Sequence, residues 1–401
     1  MSTPRLLTIA PSLTVAVALI GAATPAVGST QSVSSIEIVT GDAKPVRATI
    51  PMDTRAAVIS VHREQPSEQL KTLFLVRDWI TDSLESDPNL SRHVVEVGID
   101  FEAGKVAVVT TRDDPDLHRI LAAHGDELVY LRVKPDESRP TTGGQVSAAA
   151  LPTALPKGTR QTDYGPWSGG AKFRLRSGAT PASCTTGFPW IIKKPGSSKK
   201  YILTAGHCFA DGGWSWANDS TKLLGGFVTK DKLENWHRVT GTQKISRQGG
   251  EYDFNGDLAL IPASSSTSIY VGGPISSKTK QVSGANFTFV NDEVCTGGAV
   301  SGEICGWKVT GVFKNIPYSQ VASGRERWAR NVAVAKNSSK CTVPGDSGGP
   351  VYRNHIRNSV HAHGIISGGQ GRVRGQCTLV FTDIWRATDL WGGGLNIKSN
   401  F

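Results

Sequence analysis

One serine stands among glycines in "CTVPGDSGGP", Cys341 to Pro350. A serine hydroxyl attacks a carbonyl only where a base takes its proton and hydrogen-bond donors stabilise the oxyanion that follows. Glycines on both sides let backbone N–H groups approach a reacting carbonyl without Cβ interference. Ser347 therefore reads as a nucleophile with a built-in oxyanion hole. The same letters also spell a surface turn, so the stretch alone leaves both readings open and the partners must decide. His207 stands in "YILTAGHC", where an apolar run breaks into small residues; a strand end there holds an imidazole at the rim of a core. Two carboxylates lie in "EYDFNGDLALIP". Asp257 directly precedes an apolar run, where a carboxylate can be buried and still orient an imidazole. Asp253 sits in a Gly/Asn-rich turn, the usual place for a solvated acid, and Asp257 is favoured. "GDSGG" also fits the G-x-S-x-G elbow of another hydrolase architecture, which needs a helix after the serine and the order Ser, acid, His. Here Pro350 leads into "VYR", and His355, His361 and His363 all precede Asp383, so that reading fails.

These side chains need a body to position them. The chain of 401 residues is long enough for two or three domains. Arg5, the apolar run Leu6 to Ile20 and the small residues of "GAATPAVGS" form the three-part pattern of a secretory signal over residues 1–28. No later segment approaches a membrane span, so the mature protein is expected to be secreted and off the membrane. Six cysteines, all after residue 180, read as disulfides in an oxidising compartment. No spacing among them suits zinc, and no metal or cofactor is expected. Residues 29–160 carry 15 Lys and Arg against 19 Asp and Glu, and residues 161–401 carry 28 against 15. Two bodies of opposite charge favour mutual docking. No basic run interleaved with aromatics points to nucleic acid.

The expected elements divide the chain at the same place. Residues 66–86 show helical apolar spacing, 93–111 alternate around "EAGK" as a hairpin, and 115–125 form a capped helix followed by the strand "ELVYLRV". This is a small α/β unit over 29–140. Residues 141–168, rich in Pro, Gly, Ser and Thr, read as a linker holding a maturation site. From 169 onward short β-rich runs follow one another, "YILTAG", "LGGFVT", "DLALIP", "NFTFV", "GWKVTGVF", "ARNVAVAK", "GPVYR", "AHGIISGG" and "TLVFTDI", with one helix near "DIWRATDLWGG". The fold class is all-β, as barrels or sandwiches.

"TAGHC", "GDLALI" and "GDSGGP", in the order His, Asp, Ser, resemble the chymotrypsin-like serine proteases. "VCTGGAVSGEICGWKVTGV" and "HGIISGG" are similar to segments of their bacterial streptogrisin and alpha-lytic-type members. The resemblance covers roughly residues 170–395. It implies two six-stranded antiparallel β-barrels with a cleft between them and a C-terminal helix. It implies Ser347 as nucleophile, His207 as general base then acid, and Asp257 as the orienting acid. It gives the N–H groups of Gly345 and Ser347 as the oxyanion hole, and Ser367, Gly368, Gly369, Thr342, Val343 and Pro344 as substrate contacts. It pairs Cys184 with Cys208, Cys295 with Cys305, and Cys341 with Cys377.

The expected protein is thus a monomeric secreted serine endopeptidase acting on proteins or peptides, with residues 29 to about 160 as its own propeptide. The rival reading is a secreted binding protein that keeps the fold without catalysis. Cys341 stands where trypsin-like relatives keep an aspartate, and "TVP" and "II" nearby are apolar, so cleavage is expected after apolar residues and not after Arg or Lys. The "SGGQGRVRGQC" stretch and the insert after Cys208 depart from the family. "HAH" at 361–363 suits a metal, but strand alternation explains it.

Overall fold

The computed structural model describes residues 51–62, 66–140, 158–177, 180–209, 214–217, 253–318, 327–356 and 358–397. The signal segment, most of the linker, "LGGFVT" and much of the insert after Cys208 lie outside the described residues. Four described helices precede residue 123 in the α/β unit with the hairpin. Helix Glu68–Ser86 starts at Ser67, whose hydroxyl accepts from Leu70 N, an N-cap that satisfies an otherwise orphaned donor. Its buried stripe Leu70, Leu73, Val76, Ile80 and Leu84 covers strands Val94–Asp100 and Lys105–Thr110. Those strands pair antiparallel, and Lys105–Thr110 pairs in parallel with Val129–Val133 across helix Pro115–Ala122, capped by Asp114. Helix Thr54–His62 has no counterpart in the sequence reading. Asp53 caps it, its Oδ1 accepting from Arg55 N at 2.8 Å, a start signal that the sequence reading passed over.

The rest of the described chain is β-rich. Strands Glu293–Gly298, Gly302–Tyr318, Arg327–Asn337, Pro350–His355, Ser359–Val373 and Gln376–Asp383 join in one antiparallel system. A second group comprises a four-stranded and a three-stranded sheet, including Lys172–Ser177, Pro189–Lys194, Ser197–Thr204 and Ala259–Pro262. Helix Trp385–Trp391 closes the chain. "NFTFV", expected as a strand, is irregular: strand Thr279–Ala285 stops before it. Asn286 N still donates to Ala362 O of strand Ser359–Val373, but beyond it the N–H groups turn to side chains, with Phe289 N donating to Asp292 and Thr288 N to Asp383.

Two N-terminal pieces meet the barrel body. The α/β unit adds Val94–Asp100 antiparallel to Gly302–Tyr318, in register Val97 to Asn315 and Gly98 to Lys314. At Gly98 the Lys314 side chain lies close over the strand, where a Cβ would be 2.2 Å from Lys314 Cδ. Arg77 Nη1 donates to Phe313 O at 2.9 Å, and Asn315 Nδ2 donates to Thr81 Oγ1 at 2.9 Å. One apolar cluster runs from Leu73 and Ile80 of the unit to Trp307 and Phe313 of the barrel. The second piece is residues 158–168, which the sequence reading assigned to the linker. They pack on the barrel: Arg160 N donates to Ser276 O and Trp167 N to Ser264 O. Trp167 joins the core of Phe173, Ile202 and Ile261.

Candidate active site

Asp257 is buried just ahead of strand Ala259–Pro262, as its place before an apolar run requires. Its Oδ1 accepts from His207 N at 2.8 Å and its Oδ2 from His207 Nδ1 at 2.6 Å. A third donor, the Ser367 hydroxyl, also reaches Oδ2. Burial works against ionisation of Asp257, but the His207 ring and these donors outweigh it and hold the carboxyl below its ordinary range. His207 sits in a single 3-10 turn, Gly206–Phe209, right after strand Ser197–Thr204. Cys184–Cys208 ties that turn to strand Thr180–Thr185. The backbone of Asp253 pairs opposite Trp328.

The nucleophile loop is held from both barrels. Thr185 N donates to Ser347 O at 2.8 Å and Thr185 Oγ1 to Gly345 O at 2.7 Å. Gly345 has φ 96°, a conformation glycine adopts freely. Gly348, at φ 87°, leaves no room for a side chain: a Cβ would lie 2.0 Å from Thr204 Oγ1. The N–H groups of Gly345 and Ser347 have no acceptor among the described residues. His207 Nε2 is buried and likewise without a partner among them, so the bond from Ser347 Oγ to His207 is not made here. Bonds of this kind are often long in free enzymes and tighten on substrate.

Ser367, Gly368 and Gly369 lie on strand Ser359–Val373, and Thr342 packs on Gly369, where a Cβ would meet Thr342 Oγ1 at 2.6 Å. Val343 N donates to Asp346 Oδ2 at 3.0 Å, while the Val343 side chain is exposed. Pro344 leads into Gly345. The other two disulfides join Cys295 to Cys305 and Cys341 to Cys377. Cysteine-containing clusters of metal-ligand types, around His207 and Glu303, are built on these bonded cysteines and offer no thiolate. Of "HAH", His361 stacks on His355 at 3.9 Å, and His363 is buried in the core with its pKa pushed down to about 3 by burial.

Residues 196–391 match the model of the trypsin family. The barrel body has the chymotrypsin-like fold. Among solved structures it is similar to the chymotrypsin of Cellulomonas bogoriensis, at 20% identity and TM-score 0.37, covering 58% of this chain and 98% of that one. Protease A of Thermobifida fusca gives 19%, 0.36, 56% and 96% for the same quantities, and an alpha-lytic protease homologue gives 23%, 0.39, 57% and 98%. No curated protein matches. Among the described residues no helix is long and apolar enough to cross a membrane.

Three participants in this arrangement escape the sequence reading. Tyr318 hydrogen-bonds Ser367 Oγ, extending the chain of hydroxyls behind Asp257, and burial raises the Tyr318 pKa well above its usual value. Thr382 Oγ1 accepts from Asp257 N at 2.8 Å, and Thr185 clamps the nucleophile loop. Each is a common residue inside a strand, where no spacing sets it apart.

Proposed function

We propose that this chain is a secreted serine endopeptidase synthesised as a proenzyme, with Ser347, His207 and Asp257 as its catalytic triad. The observation that carries the reading is the buried Asp257 carboxylate, bonded to both the backbone and Nδ1 of His207 beside the glycine-bounded Ser347 loop. With Nδ1–H held by Asp257, the imidazole keeps the tautomer in which Nε2 can accept a proton. Ser347 Oγ attacks the scissile carbonyl and passes its proton to His207. The oxyanion is bound by the N–H groups of Gly345 and Ser347, which have no acceptor among the described residues. His207 then protonates the leaving amine, and water hydrolyses the acyl-enzyme by the same route. Ser367 to Gly369 bind substrate backbone, and the apolar surroundings favour cleavage after apolar residues.

The α/β unit is read as the propeptide. Its last described segment supports this: Ser138 bonds Gln370, next to Gly369, and Asp136 pairs with Arg374 in the turn just past that strand. A piece bound there competes with substrate, and docking on a mostly non-local β-body lowers its folding barrier. The test is intact mass and N-terminal sequencing of the secreted protein, with phosphonate labelling. Expected are loss of residues 1–28, a second cut after the α/β unit, and one adduct on Ser347. A folded, processed protein without an adduct would favour the non-catalytic binding protein.

A further inference from the structure

Arg160 stands well apart in sequence from every residue assigned above to the site, yet its side chain is fully buried. Nη1 donates to Gly298 O at 3.0 Å and Gly170 O at 3.3 Å; Nη2 donates to Tyr270 O at 3.0 Å and Gly272 O at 3.3 Å. Only Nε lacks a partner among the described residues. Gln161 continues the seam, its Nε2 donating to Ala299 O at 2.5 Å and Pro274 O at 2.9 Å. The arm therefore grips the carbonyl side of the peptide run 298–299.

The N–H side of the same run holds the nucleophile loop. Val300 N and Ser301 N each donate to Asp346 Oδ1 at 2.9 Å, and Ser301 Oγ donates to Oδ2 at 2.5 Å. Ala299 N donates to Thr185 Oγ1, which in turn donates to Gly345 O. Gly298 lies flat on Asp346, where a Cβ would be 2.2 Å from Asp346 Cγ. Residues 298–301 are thus a plate with the arm on one side and the loop Gly345–Ser347 on the other. Burial lowers the Arg160 pKa, and Tyr352, Asp346 and Glu303 within electrostatic reach oppose that.

We infer that the arm from Thr159 onward is a permanent part of the working enzyme, and that Arg160 is a positioning residue that fixes the oxyanion-hole loop through the 298–301 plate and Asp346. The inference rests on the endopeptidase reading. Leaving this guanidinium out would take a donor from the buried carbonyls of Gly170, Tyr270 and Gly298 and free the plate, and a donor displaced by about 1 Å costs on the order of 100-fold in rate. Substrate backbone binding on strand Ser359–Val373 does not involve the plate, so the loss falls on kcat rather than KM.

The test uses the full-length chain, secreted and processed, with Arg160→Met, Arg160→Lys and the exposed-arm control Tyr164→Ser, each normalised to active sites by titration. Arg160→Met is expected to lower kcat per titrated site at least about tenfold with KM within about twofold. Affinity for a peptide aldehyde, whose adduct oxygen uses the same donors, should fall by the same factor. Arg160→Lys should recover part of both, and Tyr164→Ser should match the parent. Unchanged kcat per site in Arg160→Met, even with a lower Tm, overturns the inference. Should Arg160→Met not fold, Gln161→Leu carries the same expectation at about threefold. N-terminal sequencing of the processed parent must give a start at or before Thr159; a start at Gln161 or later overturns the inference whatever the variants do. A parent that takes no phosphonate at Ser347 defeats the endopeptidase reading instead, while the terminus still reports on the arm.

Discussion

Arg330 on the barrel meets Asp82 and Glu85 of the α/β unit at 2.7 and 2.6 Å, with Asp82 47% exposed. Arg160 in the arm is wholly enclosed among backbone carbonyls. Both guanidiniums join N-terminal chain to the same body, but their surroundings differ in what release would cost. The partners of Arg330 regain water on one side as soon as the seam opens, and pairs at that exposure are screened by salt. The Arg160 guanidinium and the carbonyls of Gly170, Tyr270 and Gly298 have no such access, so removing the arm leaves buried polar groups unmade. On the proposed reading, the seam at Arg330 is the one that opens and the seam at Arg160 is the one that holds.

The largest change should come from the residue that both pieces frame. Ser347→Ala is expected to cut hydrolysis by about 10⁴-fold or more, with His207→Ala and Asp257→Ala adding little in combination. Steady-state rates of single and double variants check this, and additive losses would mean that the three do not act as a unit. Asp253→Ala, as control, should leave the rate within about twofold.

Next comes the arm's own acid. Asp163 accepts from Ser168 N and Tyr270 OH, yet burial raises its pKa to about 6 from an ordinary 3.8. A carboxyl raised in the folded state gives its full stability below the unfolded pKa and loses it as pH rises through about 6. Asp163→Asn escapes that loss. Its Tm relative to the parent should therefore rise between pH 4 and pH 7, by an amount equivalent to at most about 3 kcal/mol. A difference in Tm that does not vary with pH would place Asp163 outside the buried seam.

At the unit's seam, Arg330→Ala should weaken the hold by about 2 kcal/mol. Size-exclusion of the processed protein checks this through the fraction of unit that travels with the barrel. Added salt should weaken the parent's hold and affect the variant less. Gly98→Ala should be milder, about 1 kcal/mol, because the clashing Lys314 stem can swing away. Doing so breaks its contacts with Glu96 at 2.9 Å and Ile99 O at 3.3 Å. If Gly98→Ala exceeded Arg330→Ala, strand pairing rather than charge would govern the seam.

What the sequence made legible follows from how local each signal is. The helix Glu68–Ser86 and the hairpin Val94 to Thr110 announce themselves by periodicity and caps, and both stand where the pattern puts them. His207, Asp257 and Ser347 were singled out because each sits at a break between an apolar run and small residues. His207 meets Asp257 across 50 positions, but the breaks are local. Arg160 carries no such mark. In "LPKGTRQTDYG" it stands among linker-like letters, and only carbonyls from Gly170, Tyr270, Gly272 and Gly298 make it structural. Tyr318 and Thr185 are hidden for the same reason, each being an ordinary strand residue whose partner is more than 40 positions away. "NFTFV" misled in the other direction, since alternation suits a strand but Asp292 and Asp383 capture its N–H groups first.

The three disulfides all close within residues 184–377, and none reaches the α/β unit. One broken peptide bond N-terminal to Thr159 therefore changes the order of the reaction that holds the unit on. Before the break the unit is a tethered ligand at an effective concentration of roughly millimolar; afterwards it is an ordinary solute, governed by mass action and lost on dilution. Once free it has no cross-link of its own to slow digestion, while the body it leaves is stapled in three places. Rebinding is thus depleted at the source, and the departure acquires a direction that neither partner's affinity supplies.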